Sequence, residues 1–238
     1  QQTPLKFYPN GYCFPLIREK DFSIIKKLNN ETIFLGEIIN TSSQGDLNLT
    51  TEKSYFSTKK SDVKMYRGCH VHRYYIDEIV EEYIQNNYKK HIVTNNCNNI
   101  YLVCQQISGM SDKKRFNMAL TRQEKCLFGN SVNKLLLNSK YDPKVILAIM
   151  NSKLIDWYFR KTSTNNHVNI YELEQLPIPN IITQERENEI IKLVESILIL
   201  KNNNINANIS NIETQIDAIV YRLYDLTEEE IKVIEESI

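Results

Sequence analysis

In "MYRGCHVHRYYI", residues 65–76, Cys69, His70 and His72 fall within four positions, with Arg67 and Arg73 on either side and Gly68 at the front. Thiol and imidazole groups so spaced suggest three chemistries: a metal site, a nucleophile with its base, or a basic loop on a phosphate backbone. As a metal site the stretch falls short. An extended chain turns residue 69 to one face and 70 and 72 to the other. A closed tetrahedral site needs more ligands, and only His91 and His167 remain among the histidines. A Cys–His catalytic pair is disfavoured because adjacent side chains rarely face each other and no third group orients the base. The phosphate reading uses more of the stretch. Between 59 and 73, Lys59, Lys60, Lys64, Arg67 and Arg73 stand against Asp62 alone, with Tyr66, Tyr74 and Tyr75 interleaved. Cations neutralise phosphates, tyrosine hydroxyls donate to them, and glycine admits a close backbone approach. A solvated basic face is the alternative.

A second basic stretch, "CQQISGMSDKKRFNMALTRQEK", carries Lys113, Lys114, Arg115, Arg122 and Lys125. Gln105 and Gln106 precede them, and amide side chains can pair with adenine edges in the major groove. "LFGNSVNKLLLN" adds Asn130, Ser131 and Asn133 on a loop leading into a strand. Two basic loops rich in Gln, Asn, Ser and Tyr fit a binding module on a folded scaffold.

These loops need elements to hold them. Up to about residue 180 the short apolar runs "TIFLGEII", "HIVTNN" and "IYLVCQQI" read as strands. One long helix is expected over "YDPKVILAIMNSKLIDWYFRK", capped by Asp142 with Pro143 at its first position. Trp157, Tyr158 and Phe159 belong to its core face. Further helices are expected from Asp21 in "DFSIIKKLNN" and over "IDEIVEEYIQNNY". After "LPIPN" the pattern is helical only. Ile190, Val194 and Ile197 share a face, as do Ile212, Ile216, Ile219, Val220 and Leu223, with the polar "NNNINANIS" between them. Thr227 and Glu230 form a capping box for a last short helix. The expected fold is α+β: a mixed-sheet domain over 1–180, then an all-helical tail over 181–238, an antiparallel hairpin plus a short helix.

The 238 residues are 42% hydrophobic and 24% charged, a soluble globular balance with no run long enough for a bilayer span. A cytoplasmic setting is expected, with five unpaired cysteines and no CxxC. Residues 183–238 hold 12 acidic and 5 basic side chains, so the first 182 carry a net +7 that suits a polyanion. The first residue is Gln1, and the chain reads as a piece of a longer protein. It has no G-x-x-x-x-G-K-[ST], G-x-G-x-x-G or H-E-x-x-H. N-P-P-Y, D-P-P-Y and a nuclease P-D…(D/E)-x-K cluster are also missing. No catalytic residue, metal ligand or cofactor is assigned within it.

"KMYRGCHVHRYYI" resembles the RG-x-x-I-x-R-Y signature in the C-terminal target-recognition domain of TaqI-like adenine methyltransferases and fused type II restriction-modification enzymes. It matches at Arg67, Gly68, Arg73 and Tyr74, with Val71 in place of Ile. "QGDLNLT" is similar to the loop before that signature, and "CQQISG" with "FGNSVNKLLL" to the strands after it. "ILAIMNSKLIDWYFRKTST" resembles the L-x-N-S-x-L-x-x-W-Y-F helix, and "LEQLPIPNI" the L-x-x-L-P-I-P linker also found in type I specificity subunits. "IDAIVYRLYDLTEEEIKVIE" resembles the ending of such enzymes. The likeness runs in order from about residue 35 to 238 and lacks the methyltransferase domain.

The resemblance implies a domain that reads a short double-stranded DNA sequence and presents an adenine for flipping and methylation. The methylating domain, in the same parent chain or a partner subunit, would use S-adenosylmethionine, and cleavage by the parent stays open. Arg67, Arg73, Lys113, Lys114 and Arg115 are then expected near the DNA backbone, with Lys64, Gly68, His70, His72 and Tyr74 in the same loop. Gln44, Asn48, Gln105, Gln106, Ser108, Asn130 and Ser131 are candidates for base reading or loop positioning. So is the turn 161–167, with Lys161, Thr162, Asn165 and Asn166. Two other functions remain as alternatives: a specificity-subunit-like scaffold that docks a separate methyltransferase subunit, and a small nuclease with its metal on Cys69, His70 and His72.

Overall fold

The computed structural model describes residues 17–88, 99–109, 113–122, 126–163 and 166–237. Asp21 starts α1 (Phe22–Leu28) as its sequence predicts, but its carboxylate does not cap that helix. It accepts from the Arg18 amide and pairs with Lys161 at 2.9 Å, tying α1 to a helix far along the chain. "TIFLGEII", expected as one strand, is three elements: β1 (Thr32–Phe34), the single turn α2 (Leu35–Ile38) and β2 (Ile39–Gln44). Leu35 and Ile38 are buried by that turn, which a continuous strand would have placed on opposite faces.

The short strands β3 (Phe56–Ser57), β4 (Val63–Tyr66), β5 (Val71–His72), β6 (Tyr75–Ile76) and β7 (Tyr83–Ile84) follow. The helix expected over 76–88 does not form. Ile76, Ile79, Val80, Tyr83 and Ile84 have helical spacing, yet β7 pairs with both β3 and β4. Tertiary strand pairing overrides a period that a short apolar run cannot settle. β8 (Tyr101–Gln105), β9 (Met118–Thr121), β10 (Cys126–Phe128) and β11 (Val132–Leu137) complete two four-stranded sheets. One has the antiparallel order β2-β11-β8-β9; the other is mixed, β10-β4-β7-β3, with β10 parallel to β4. The segment "HIVTNN" lies outside the described residues.

The long helix expected from Pro143 is two, α3 (Pro143–Met150) and α4 (Lys153–Thr162). Asp142 caps α3 as expected, accepting from the Lys144 amide at 2.8 Å. Asn151 and Ser152 end that helix, because both side chains have backbone work to do. Ser152 donates to the Ile149 carbonyl and accepts from the Ile155 amide, so it closes one helix and caps the next. The Asn151 amide meets both backbone groups of Met118 at 3.1 and 3.0 Å, which clamps the joint to β9. α5 (Ile170–Glu174) and β12 (Pro177–Pro179) lead on, β12 pairing with β1.

The tail forms as its pattern predicts: α6 (Gln184–Asn203), α7 (Ser210–Leu223) and α8 (Glu228–Glu235). Both bonds of the Thr227–Glu230 capping box are present, at 2.8 and 3.3 Å. Ile190, Val194, Ile197, Ile216, Ile219 and Val220 share one hydrophobic cluster with Trp157, Tyr158 and Phe159, and with Leu102 and Leu135 of the antiparallel sheet. Among the described residues no helix is long and apolar enough to cross a membrane.

Candidate nucleic-acid interface

Five chain segments, distant in sequence, converge at one end of the two sheets. β2 ends at Gln44, and Gly45 turns with a left-handed φ of 62°. A Cβ there would lie 2.3 Å from the Gly129 carbonyl oxygen, so only glycine lets the two turns touch. Asp46 accepts from the Phe128 amide and pairs with buried Lys134, and Asn130 donates to and accepts from the 47–49 backbone. The second segment is the 3₁₀ turn Gly68–His70, whose Gly68 amide donates to Ser131 Oγ at 2.9 Å. A Cβ on Gly68 would sit 2.7 Å from the Ser131 carbonyl. That carbonyl is already taken by the Gln106 amide at 2.8 Å. Gln106 accepts from Val168 in turn, and Ser108 donates to Asn166, at 2.7 and 2.9 Å. Buried Asn133 braces the last segment from behind, donating to the Val168 carbonyl. Ser131, Asn130 and Gly68 thus hold the loops together, and their polar groups face protein.

The side chains this frame presents outward are mostly uncharged. Gln44, Asn48, Cys69, Asn166 and His167 are exposed, and Gln105 and Gln106 half-buried. Ile107, between the two glutamines and Ser108, is 59% exposed. Asn48 also organises its own turn, accepting from the amides of Thr50 and Thr51. His70 Nδ1 accepts from the Arg67 amide at 2.9 Å, and burial holds the ring below its ordinary value of 6.5. At neutral pH it is therefore uncharged, with its proton on Nε2. His72 Nε2 faces Asp77 at 3.0 Å and its ring stacks on Tyr75. The three groups considered as metal ligands thus have separate partners or exposure. Among the described residues no three His, Cys, Asp or Glu converge on a common point.

Several cations expected on the DNA backbone have partners within the protein. Arg73 is part-buried, ion-paired to Glu213 of α7, and donates to the Asn151 carbonyl. Lys114 reaches both Glu213 oxygens at 3.1 Å. Arg115 is 1% exposed, with its guanidinium over the Phe159 ring, and its amide donates to Asp156. Tyr74 is buried with φ at 71°. Lys161 faces Asp21, and Thr162 donates to the Tyr158 carbonyl within α4. Arg67 is half-exposed but grips Glu82 with two nitrogens, and Lys64 donates to the Glu78 carbonyl. Ser108 is buried. Lys59, Lys60, Lys113 and Arg122 are exposed and form no ion pair among the described residues. Asn165 and Lys125 lie outside the described residues.

Sequence reasoning missed Ile107, because an apolar residue after a strand reads as more strand. It also missed Asp46 with Lys134, and Glu213, whose partners are set only by the fold.

The model of a family described as "TaqI-like C-terminal specificity domain" matches residues 46–178. No curated protein matches the sequence. The chain is similar to a number of solved structures, of which three are given. The chain aligns at 10% identity and a TM-score of 0.44 with a chain of a type I R-M system, covering 81% of this chain and 45% of that one. It aligns at 9% and 0.47 with the Type IIL restriction-modification enzyme MmeI in complex with DNA, covering 78% and 31%. It aligns at 10% and 0.39 with the HsdS subunit from Thermoanaerobacter tengcongensis, covering 87% and 51%. The chain therefore spans about half or less of each of these proteins.

Proposed function

Because this chain belongs to the family of TaqI-like C-terminal specificity domains, we propose that it selects the double-stranded DNA sequence on which a restriction-modification enzyme acts. The observation that carries this reading is the convergence of the 44–48, 68–70, 105–108, 129–131 and 166–168 segments, braced from behind by Ser131 and Asn133. Its outward amides, Gln44, Gln105, Gln106 and Asn166, carry the donor and acceptor pairs that base edges require. Exposed Lys59, Lys60 and Lys113 supply charge for phosphates without information about sequence. On this reading an adenine is flipped and methylated by a catalytic domain in the parent chain or a partner subunit, with or without cleavage. S-adenosylmethionine would be held there, and we assign no residue of this chain to it. The protein would work in the cytoplasm, where its DNA is.

The test is duplex DNA binding by the full-length protein across a salt series. Affinity should fall with salt, and removing Lys59 and Lys60 together should weaken all sequences alike and lower the log–log slope by about two. Gln105→Ala or Gln106→Ala should instead change preference among sequences, by about 1–3 kcal/mol at one base pair. Affinity indifferent to salt, or equal losses on every sequence for the glutamine variants, would overturn the proposal.

A second reading has its own observation. Ile79, Ile199 and Ile205, which are 85%, 62% and 50% exposed, line one groove with Leu198, Lys201 and Arg122 at the tip of the α6–α7 hairpin. We infer that this tip docks the methyltransferase component.

A further inference from the structure

Exposed isoleucines are ordinary on a protein surface; Ile107 is set apart by its place and its rigidity. It is 59% exposed within the loop cluster, where the neighbouring outward groups are polar side chains, the amides of Gln105 and Gln106 and the imidazole of His167. The other strongly exposed isoleucines lie elsewhere, three of them in the groove at the hairpin tip. The backbone around Ile107 is held on both sides. Gln106 donates to Ser131 and accepts from Val168, Ser108 donates to Asn166, and Ile107 itself bridges to His167. Its β-branched side chain is stiff at χ1. An apolar group fixed in this way loses little freedom when a partner covers it.

Resting on the reading of this face as a DNA-sequence reader, we propose that Ile107 is a specificity-determining residue that packs on the C5 methyl group of a thymine in the major groove. That methyl is the one apolar feature among the base edges exposed there. The flanking amides of Gln105 and Gln106 can read the donors and acceptors of adjoining pairs while Ile107 reads the methyl. The combination would place a T·A pair within the recognised sequence, next to pairs read by hydrogen bonds.

The experiment selects bound sequences from a randomised duplex pool with the full-length protein, and then replaces each thymine of the consensus by uracil in turn. One uracil should weaken wild-type binding about fourfold, the worth of one buried methyl. In Ile107→Ala that position should lose both its preference for thymine and its sensitivity to uracil. The melting temperature should not change, because the side chain is exposed. A pool that yields no consensus would overturn the DNA-specificity reading itself. A consensus with no thymine, or with no uracil effect that depends on Ile107, would overturn this inference and leave that reading intact.

Discussion

Gly68 is where the recognised signature meets the rest of the interface, and it has no space for a side chain. An alanine Cβ would lie 2.7 Å from the Ser131 carbonyl and 3.4 Å from Gln105 Cβ, with backbone as the nearer obstacle. The Gly68–Ser131 hydrogen bond or the 129–131 turn must therefore give way. Gly68→Ala should cost about 1–3 kcal/mol, the usual range for overpacking. Thermal denaturation would read this as a lower melting temperature, and an unchanged one would contradict the close approach. Gly68 was legible in the sequence as a site of close approach, although what approaches is a protein carbonyl and not a phosphate. Arg67 and Arg73 were less legible, since the acids that take them, Glu82 and Glu213, lie 15 and 140 residues away. A cation's partner at such a distance leaves no mark in local spacing, so both arginines read as available for phosphate.

At the scale of elements, the tail helices were legible because amphipathic period, caps and polar connection all agree. The strand β7 was hidden because its residues also fit a helical period, and the α3–α4 break because Asn151 and Ser152 look unremarkable inside an apolar run. Neither was it visible that α7 carries the acids of a buried network. Glu213 meets Arg73 and Lys114, and Asp217 accepts from the Lys153 amide at 2.9 Å, while Lys153 pairs with Glu235 of α8. Burial pushes Asp217 from 3.8 up to about 6, against the Lys153 hydrogen bond and the Arg73 charge. Burial would raise Glu213 too, but Arg73 and Lys114 outweigh it and hold that carboxyl below its ordinary 4.5. The two act in opposite directions. Between about pH 4 and 6 folded Asp217 binds a proton that the unfolded chain has lost, so stability declines as pH rises through that window. Glu213 contributes stability above its unfolded value, and that contribution is lost on acidification below about 4.5. Asp217→Asn keeps an oxygen for the Lys153 amide and removes the buried charge. Its melting temperature should vary less between pH 7 and 5 than that of wild type, whose melting temperature should rise on going down to pH 5. Parallel curves for the two proteins would exclude the role of Asp217.

At the scale of the molecule, one hydrophobic cluster runs from the antiparallel sheet through α3 and α4 into α6, α7 and α8. The composition shift near residue 180, read in the sequence as the start of a tail, falls inside that shared core. The loop cluster is built from turns of the sheets, whereas the apolar groove sits at the tip of the α6–α7 hairpin beside the β5–β6 turn, where the Asp77 amide donates to the His70 carbonyl. Ile199 and Ile205 lie at that tip, where neither helix face is needed to complete the core. Their exposure is therefore available for a partner without cost to the fold. Ile199→Asp combined with Ile205→Asp should leave the melting temperature and the DNA affinity of the protein within about twofold of wild type, because surface substitutions away from packed groups usually cost less than 0.5 kcal/mol. Methylation by the assembled enzyme should drop at least about tenfold, since burying two isoleucines on a partner is worth about 1.5–3 kcal/mol each. The measurement pairs a DNA-binding titration with a methyl-transfer assay at limiting methyltransferase component. If methylation survives while binding is unchanged, the hairpin tip is not the docking surface; if both fall together, the substitutions have reached the DNA face and the two surfaces are not separable in function.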